Sequence, residues 1–433
     1  MSFSPQPEIQ AYLRRVAEES GVPDRFVFRT TVEHAAWDEG ARRWRTRLSD
    51  GREVVSTTLV SGSGGLSEPR LPEIDGLDSF GGEVFHSARW NHDVDLAGKR
   101  VAVIGTGASA IQIVPEVQRV AAHLDVYQRT APYVLPRNDR AYTRLERLAF
   151  RHLPLVQKAY RTAIYWGRET YVPGFTLEPR LAWPAKRLAL ANIEKGIADP
   201  DLRARVTPDF EIGCKRILIS NTYYPALAAD NVALVTDPIT AVTGDGVVTA
   251  DGVEHPVDVI VVATGFFTTE QPIAAHVVGR EGRSLADVWS DGGMAAYKGT
   301  TVHGFPNFFQ VVGPNTGLGH SSMVFVIESQ IAYVVDAIRT MREHRYAAVE
   351  PRPDAQQAWN DDLQRRMGRT VWNRGGCSSW YLDEHGRNTV LWPRSTFAFR
   401  SLLSSFDAAA YEVTAAPADQ PDPSVPTREE VPA

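Results

Sequence analysis

The stretch "KRVAVIGTGASAIQIV", residues 99–114, constrains the fold more than any other part of the chain. An apolar strand runs into a turn with Gly105, Gly107 and Ala110 in a G-x-G-x-x-A spacing, and a helix follows it. A second strand, "HLDVYQRT", completes a β-α-β unit. Gly105 permits the tight turn, Gly107 lets the backbone approach a pyrophosphate, and Ala110 lets the helix pack closely. The turn is therefore predicted to bind a dinucleotide, through Gly105, Thr106, Gly107, Ser109 and Ala110.

The end of the second strand indicates which dinucleotide is bound. An acidic residue about 20 residues after the turn holds a free ribose 2′-hydroxyl in NAD-binding folds. Asp125 lies on this strand, but the strand ends in Gln128, Arg129 and Thr130. Because a guanidinium binds a 2′-phosphate through charge-assisted hydrogen bonds, Arg129 and Thr130 favour NADPH over NADH. The alternative is that Arg129 is a solvated surface charge.

The rest of the chain alternates between sheet and helix. We expect an amphipathic helix ending at Gly21, an antiparallel meander over residues 25–64, and a proline-containing linker before Lys99. Residues 141–206 read as helical, and within them "RHLPLVQKAYRTAIYWGRETY" could be a lid, a partner surface or a membrane-grazing helix. Core packing is the favoured interpretation, because no long basic stripe accompanies the aromatic residues. A second meander from residue 231 ends in the apolar strand "VDVIVVATGF", and a long apolar helix follows near residue 323.

Composition excludes several classes of protein. The 433 residues carry a net charge of −6, which gives no general attraction to nucleic acid. Cys214 and Cys377 form no CxxC pair, so neither a disulfide nor a metal site is expected, and a reducing compartment fits. No apolar run is long enough for stable membrane insertion, and the first residues lack the order of a signal peptide. We therefore predict a cytoplasmic protein.

A second motif precedes the glycine turn. The segment "FGGEVFHSARWN" places Phe80, Gly82, His86 and Trp90 in the F-x-G-x-x-x-H-x-x-x-W spacing. This fingerprint resembles that of Baeyer–Villiger monooxygenases and related flavin-containing monooxygenases, although Asn91 stands where the family usually has Pro or Asp. The resemblance continues through "VYQRTAPYVLPR", "GCKRILISNTYYPAL", "FPNFFQVVGPNTGLGHSS" and "SSWYLDEHGRNTVLWP". The wording of "GCKRILISNTYYPAL" is similar to that of the 4-hydroxyacetophenone monooxygenase-like branch.

The resemblance implies an activity and roles for individual residues. Such enzymes use NADPH to reduce FAD, and a C4a-peroxyflavin then inserts one oxygen atom of O₂ into a ketone or transfers it to a soft nitrogen or sulfur. Arg216 matches the residue whose permanent charge stabilises the peroxide and the developing oxyanion. Lys215 would lie beside the 2′-phosphate, and Trp380 would pack near the nicotinamide. His86 is expected to transmit domain movement rather than to transfer a proton.

The resemblance also implies a fold, from which the chain departs at one point. We expect an α/β flavoprotein with two dinucleotide-binding, Rossmann-like domains, but no GxGxxG turn precedes Lys99, so the N-terminal FAD β-α-β unit is expected to be missing. The remaining flavin pocket is assigned to Ser63, Gly64, Thr264, Gly265, Gly313 and Asn315. The predicted domains are a partial FAD domain (1–80), a linker (81–98), an NADPH domain with a helical insertion (99–235), the C-terminal part of the FAD domain (236–412) and a disordered tail (413–433).

The predicted function is that of an NADPH- and FAD-dependent monooxygenase acting on a small organic molecule with O₂. The alternative is an N-terminally truncated, impaired or inactive NADP-binding fragment, and a flavin-free NADPH reductase also stays open. A flavin disulfide reductase is excluded, because it needs a CxxC pair. The sequence specifies neither the substrate nor the oligomeric state.

Overall fold

The computed structural model describes residues 2–416. Within them the chain forms thirteen α-helices and eighteen β-strands. The helices are α1 Gln6–Ser20, α2 Ala110–Gln118, α3 Arg144–His152, α4 Pro154–Glu169, α5 Val172–Thr176, α6 Trp183–Gly196, α7 Pro200–Val206, α8 Tyr223–Leu227, α9 Leu285–Ser290, α10 Met323–Glu343, α11 Pro353–Met367, α12 Val371–Arg374 and α13 Thr396–Leu402. The strands are β1 Val32–Asp38, β2 Arg43–Leu48, β3 Glu53–Ser56, β4 Leu59–Ser61, β5 Glu83–His86, β6 Arg100–Ile104, β7 His123–Tyr127, β8 Val134–Leu135, β9 Leu218–Ile219, β10 Val232–Val235, β11 Ile239–Val242, β12 Gly246–Thr249, β13 Glu254–Pro256, β14 Val259–Val262, β15 Val277–Val278, β16 Phe308–Gln310, β17 Tyr346–Pro351 and β18 Tyr411–Ala415.

A five-stranded sheet forms the centre of the dinucleotide-binding half, in the order β10-β7-β6-β14-β5. Its neighbouring strands all pair in parallel. Strand β6, helix α2 and strand β7 form the predicted β-α-β unit, and helix α2 packs its apolar face on the sheet through Ile111 and Val114. Buried parallel strands read as continuous apolar runs, which is why β6 and β14 were recognisable from the sequence.

This sheet extends beyond the boundaries predicted for its domain. Strand β5 comes from the segment predicted to be a linker, and it pairs with β14. Strand β14 was assigned to the flavin half, yet it lies between β5 and β6. The antiparallel sheet β11-β12-β13 also packs here, through Val242, Val247 and Val257. Parallel neighbours are joined by long connections, so the chain can leave a sheet and return to it much later.

The other half contains smaller sheets. Strands β1, β2 and β3 form the predicted antiparallel meander, with β15 beside β1 in parallel. Strand β4 does not continue the meander, because it pairs in parallel with β16. A core around Trp44 and Phe308 joins the two groups of strands. A further core lies between α10, α11 and the β17-β18 pair.

The segment from α3 to α4 contradicts its predicted core packing. Helix α3 has no buried residue, and Glu169 is the only buried residue of α4. Leu145 and Leu155 are 78% and 79% exposed. Aromatic contacts along one side hold α4, where Tyr165 stacks on Phe325 with ring centroids 5.3 Å apart. The aromatic residues of this segment therefore pack on a surface of the protein, not inside it.

Both ends of the described chain are defined by particular contacts. Helix α1 ends at Gly21, whose φ of +66° is the left-handed conformation that glycine favours at a helix end. Strand β18 pairs with β17 as far as Ala415, so the predicted tail cannot begin at residue 413. Residues 417–433 lie outside the described part of the chain. Within residues 2–416, no helix combines the length and apolar character needed to cross a bilayer.

Candidate functional site

The glycine turn lies at the carboxyl edge of the five-stranded sheet, between β6 and α2. Gly105 has a φ of +116°, and a Cβ atom there would lie 2.6 Å from the carbonyl oxygen of Ala263. A Cβ at Gly107 would meet no atom within 4 Å, so this backbone is open to a ligand. No side chain caps the N-terminus of α2, whose amides at Ile111 and Gln112 donate to the backbone oxygens of Gly107 and Ser109. The turn thus fits a pyrophosphate, as predicted for an anion at a helix N-terminus.

The predicted 2′-phosphate site involves the side chains at the end of β7. Asp125 is 3% exposed and accepts a hydrogen bond from His123 Nε2 at 3.1 Å, so it does not face a ribose. Thr106 Oγ1 donates to the carbonyl oxygen of Thr130 at 3.0 Å, which ties the glycine turn to this strand end. Arg129 is exposed next to Thr130.

Lys215 and Arg129 form a cationic pair, although they are far apart in sequence. Burial and the neighbouring Arg129 guanidinium lower the pKa of Lys215 below its usual range. Neighbouring cations repel each other, and a dianion bound to both would remove that repulsion. Such a pair is compatible with a phosphate ester, and the contact of both residues with a 2′-phosphate stays a prediction.

Arg216, directly after Lys215, lines a narrow cavity whose space between atoms, counted with the adjoining open solvent, is about 150 Å³ and which is too tight in this structure to admit a water molecule. Its Nη1 donates to the carbonyl oxygen of Leu318 at 3.2 Å, which fixes the guanidinium against the loop that precedes α10. The other residues of the cavity are Phe175, Gly213, Lys215, Ile217, Gly319, Trp372 and Tyr381. Burial raises the pKa of Tyr381 to about 12, although Arg216 acts in the opposite direction. The cavity thus combines a permanent cation with a neutral phenol.

The loop that carries Lys215 and Arg216 is covalently attached to the C-terminal region. Cys214 and Cys377 form a disulfide bond, with Cα atoms 6.1 Å apart. The expectation that the chain has no disulfide was therefore wrong. The two residues are separated by 163 positions, so spacing in the sequence could not reveal the pair. The bond joins the loop of Arg216 to the segment of Trp380 and Tyr381.

The residues of the fingerprint lie in strand β5 and in the segments just before and after it. A Cβ at Gly82 would collide with the Asp258 carbonyl oxygen and the Phe80 ring, so only glycine fits there. Trp90 packs edge-on against Phe85 with ring centroids 4.9 Å apart. His86 is buried at the carboxyl edge of the sheet, and burial lowers its pKa. A neutral, buried histidine is consistent with the predicted structural role and does not test it.

Two of the segments predicted to bind flavin meet at this edge, beside the glycine turn. Ser63 and Gly64 follow β4, and the segment after them joins the segment after β14 through a bridge between Pro69 and Phe266. Thr264 Oγ1 donates to the carbonyl oxygen of Arg70 at 2.6 Å, and Gly265 accepts from the Arg70 amide at 2.9 Å. These contacts connect the strand β4 region to the edge that carries the dinucleotide turn.

Gly313 and Asn315, also predicted to bind flavin, have structural partners. The Asn315 side chain donates to the carbonyl oxygens of Asn388 and Leu391, at 2.8 and 3.0 Å. A Cβ at Gly313 would collide with the Gly299 carbonyl oxygen, so close packing already requires glycine. Their predicted contact with the flavin therefore remains a prediction.

A strained residue marks this same turn. Val312 has a φ of +62°, which is rare for a β-branched side chain. Its amide donates to Gln330 Oε1 at 2.8 Å, and Gln330 is fully buried. Such strain collects at ligand-binding sites, where neighbouring contacts enforce it. Sequence reasoning missed both residues, although Val312 lies within a stretch that carried the resemblance.

Trp380 lies close to the cavity but outside it. It is 43% exposed, and its ring centroid is 4.4 Å from that of Tyr381. Thr268 Oγ1 donates to its carbonyl oxygen at 3.2 Å, which places Trp380 beside the segment after β14. Sequence reasoning missed Tyr381 and Trp372, although Tyr381 directly follows Trp380 within a stretch that carried the resemblance.

Comparisons with known proteins agree with this geometry. The family described as flavin-binding monooxygenase-like matches residues 2–165. A Baeyer–Villiger monooxygenase from Pseudomonas aeruginosa is 51% identical over 417 residues, which are 96% of this chain and 79% of that relative. Another, from Streptomyces coelicolor, is 49% identical over 414 residues, 95% of this chain and 79% of the relative. The chain belongs to the Baeyer–Villiger and flavin-containing monooxygenase family.

Solved structures of Baeyer–Villiger monooxygenases share the fold. Cyclohexanone monooxygenase from Rhodococcus sp. Phi1, bound to NADP⁺, aligns with a TM-score of 0.83 at 28% identity over 95% of this chain and 85% of that one. Oxidised steroid monooxygenase bound to NADP aligns with a TM-score of 0.79 at 32% identity over the same shares. The predictions of the family, of its fold with two dinucleotide-binding domains, and of a flavin-dependent monooxygenase are confirmed.

Proposed function

We propose that this monooxygenase uses NADPH and FAD to insert one oxygen atom of O₂ into a small organic ketone, giving an ester or a lactone. The observation that carries the proposal is the position of Arg216. The Leu318 carbonyl oxygen accepts a hydrogen bond from Arg216 and holds it at the cavity. Three parts of the chain meet there: the loop that carries Lys215 and Arg216, the loop before α10, and the segment that carries Trp372 and Tyr381. A permanent cation at such a junction suits a reaction in which an oxygen atom gains negative charge.

The dinucleotide turn and the cationic pair hold NADPH in this proposal. The backbone of the glycine turn, at the positive end of the α2 dipole, binds the pyrophosphate, while Arg129, Thr130 and Lys215 bind the 2′-phosphate. Because Lys215 and Arg216 are adjacent, binding of the phosphate also orders the backbone next to the cavity. The nicotinamide end is assigned to the side of Trp380, as the family resemblance implies.

Bound FAD, once reduced, supplies the activated oxygen. The chain's own contribution is to place charge and to limit access of water. Arg216 cannot lose its proton at physiological pH, so it stabilises a developing oxyanion without protonating it. Phe175 and Trp372 stack with centroids 5.9 Å apart and form an apolar wall of the cavity. Such a wall lowers the local dielectric and strengthens the effect of the charge.

The cytoplasm remains a proposed location, based on composition and on the first residues of the chain. The Cys214–Cys377 bond argues against it, because disulfides are rare in that compartment. Cell fractionation, with the two thiols trapped before lysis, tests the location and the bond together. Recovery of the chain outside the cytoplasmic fraction would overturn the proposed location.

The decisive experiment measures oxygenation directly. The purified chain, supplied with FAD, NADPH and ¹⁸O₂, is given panels of aryl and cyclic ketones, sulfides and amines. The proposal expects esters or lactones that contain one ¹⁸O atom. Oxidation of sulfides or amines alone would overturn the ketone assignment. NADPH oxidation without any oxygenated product would overturn the proposed function.

Replacement of Arg129 by alanine tests the assignment of NADPH. The loss of charge-assisted hydrogen bonds to the 2′-phosphate should raise the KM for NADPH about 10- to 100-fold. The KM for NADH should stay nearly unchanged, because NADH has no 2′-phosphate. Steady-state NADPH and NADH oxidation gives both values. Arg119→Ala, which removes an exposed arginine paired with Glu116, is the control, and equal effects of Arg129→Ala on both cofactors would disprove the phosphate contact.

A further inference from the structure

Helix α4 buries a charged residue and exposes its apolar ones. Its only buried residue is Glu169, in the last turn, while its apolar residues Leu155, Ile164 and Trp166 are exposed. A carboxylate is seldom buried unless it has partners, because it loses its hydration. Glu169 is therefore held in place by specific contacts.

Three donors converge on the carboxylate of Glu169. The Thr396 amide donates to Oε2 at 3.1 Å, and Thr396 Oγ1 donates to Oε1 at 2.6 Å. His320 Nε2 lies 3.2 Å from Oε1, and both side chains are almost fully buried. Thr396 begins helix α13, and His320 lies in the loop before α10. Glu169 thus connects three segments that are far apart in sequence.

The histidine in this cluster acts as a neutral donor. Burial lowers the pKa of His320, with Arg168 acting in the same direction and Glu169 opposing it. Its Nε2 faces Oε1 of Glu169, so this ring nitrogen is the one assigned the hydrogen that it donates to the carboxylate. The His320 ring also lies 6.3 Å from the Phe175 ring, measured between centroids.

Two short connections lead from this cluster to the cavity. Leu318, two residues before His320, provides the carbonyl oxygen that accepts from Arg216, and Gly319 between them lines the cavity. Phe175, six residues after Glu169, lines the cavity from the other side. A Cβ at Gly213 would lie 2.6 Å from the Phe175 ring, so little space is left for that ring to move.

We propose that Glu169 is a positioning residue for oxygenation. It holds His320, and through the loop of His320 it holds the Leu318 carbonyl oxygen that fixes Arg216. The carboxylate receives the three donors only when α4, α13 and the loop before α10 are all in place. The role in oxygenation rests on the proposed function, whereas the mechanical link between Glu169 and the loop does not. Comparisons of sequence or structure assign no role to this cluster.

The substitution Glu169→Gln tests the proposal with little change in volume. A glutamine side chain has one oxygen, so it cannot accept from all three donors, and its amide group then faces a donor. Loss of one hydrogen bond to a charged group corresponds to about a tenfold fall in the rate of product formation. The KM for NADPH should not change, because the dinucleotide turn is untouched. More of the oxidised NADPH should appear as hydrogen peroxide.

A second measurement does not depend on activity. Hydrogen–deuterium exchange by mass spectrometry should show faster exchange in residues 213–219 and 316–320 of the Glu169→Gln variant. Glu194→Gln, which changes an exposed carboxylate of α6, is the matched control and should alter neither readout. Thermal unfolding of each variant verifies that it is folded.

The outcomes separate the positioning role from the proposed function. Unchanged exchange in both loops overturns the proposal, whether or not the chain is active. Faster exchange with unchanged product formation also overturns it, because the loop would then move without affecting Arg216. If the unmodified chain makes no oxygenated product, the proposed function fails, and exchange alone decides whether Glu169 holds the loop.

Discussion

Replacing Arg216 by alanine is expected to abolish oxygenated product while NADPH oxidation partly continues. The substitution removes the permanent charge from the cavity but leaves the dinucleotide turn intact. Removal of one group that stabilises a developing oxyanion costs about 100- to 1,000-fold in rate. The loss also frees the Leu318 carbonyl from its partner. Product analysis by mass spectrometry, with NADPH oxidation followed in parallel, gives the product formed per cofactor consumed.

Arg216→Lys is the informative companion variant. Lysine keeps the charge, but its flexible ammonium lacks the planar fork of a guanidinium, so we expect a product yield between those of the unmodified chain and Arg216→Ala. Arg119→Ala should leave the yield unchanged. If Arg216→Ala still makes ester at the original yield, the stabilising charge lies elsewhere and the assignment of Arg216 is wrong.

Local patterns explain why much of the dinucleotide half was predictable. An apolar strand, a glycine turn and an apolar helix follow each other within about 20 residues, and each is specified by its own sequence. The helix end at Gly21 and the long helix α10 are likewise local features. The fingerprint was also recognised, because its residues are close together in sequence and their spacing resembles a family motif.

Features that depend on distant segments were not predictable. Strand β5 joins the sheet only because β14, more than 170 residues later, provides its partner. The cavity around Arg216 requires Phe175, Trp372 and Tyr381, which come from three separate segments. No periodic pattern in the sequence indicates such long-range contacts, since the packing of the complete core decides which distant segments pair.

The helical segment shows a limit of amphipathic patterns. The aromatic residues of α4 suggested a buried helix, and a periodic pattern alone does not tell which side of a helix is covered. Tyr165 does find an aromatic partner in Phe325, but Trp166 stays 53% exposed. The buried residue is instead Glu169, a type that sequence reasoning assigns to the surface. Only its hydrogen-bond partners, His320 and Thr396, would have indicated that Glu169 is buried, and they lie 151 and 227 positions away.

Replacing Cys377 by serine is expected to have the largest effect on stability. The bond closes a loop with a sequence separation of 163, and constraint of so long a loop in the unfolded chain stabilises the folded state by about 2–4 kcal/mol. The free energy of unfolding, from urea denaturation, should fall by that amount, while Ser378→Ala, at an exposed neighbouring position, should leave it unchanged.

Thiol titration of the denatured, unreduced protein should detect no free thiol, and two after reduction. Two free thiols before reduction, or equal stability of Cys377→Ser and the unmodified chain, would contradict the bond. A rise in the KM for NADPH should accompany the loss of stability, because Cys214 directly precedes Lys215 and its bond holds the phosphate-binding loop.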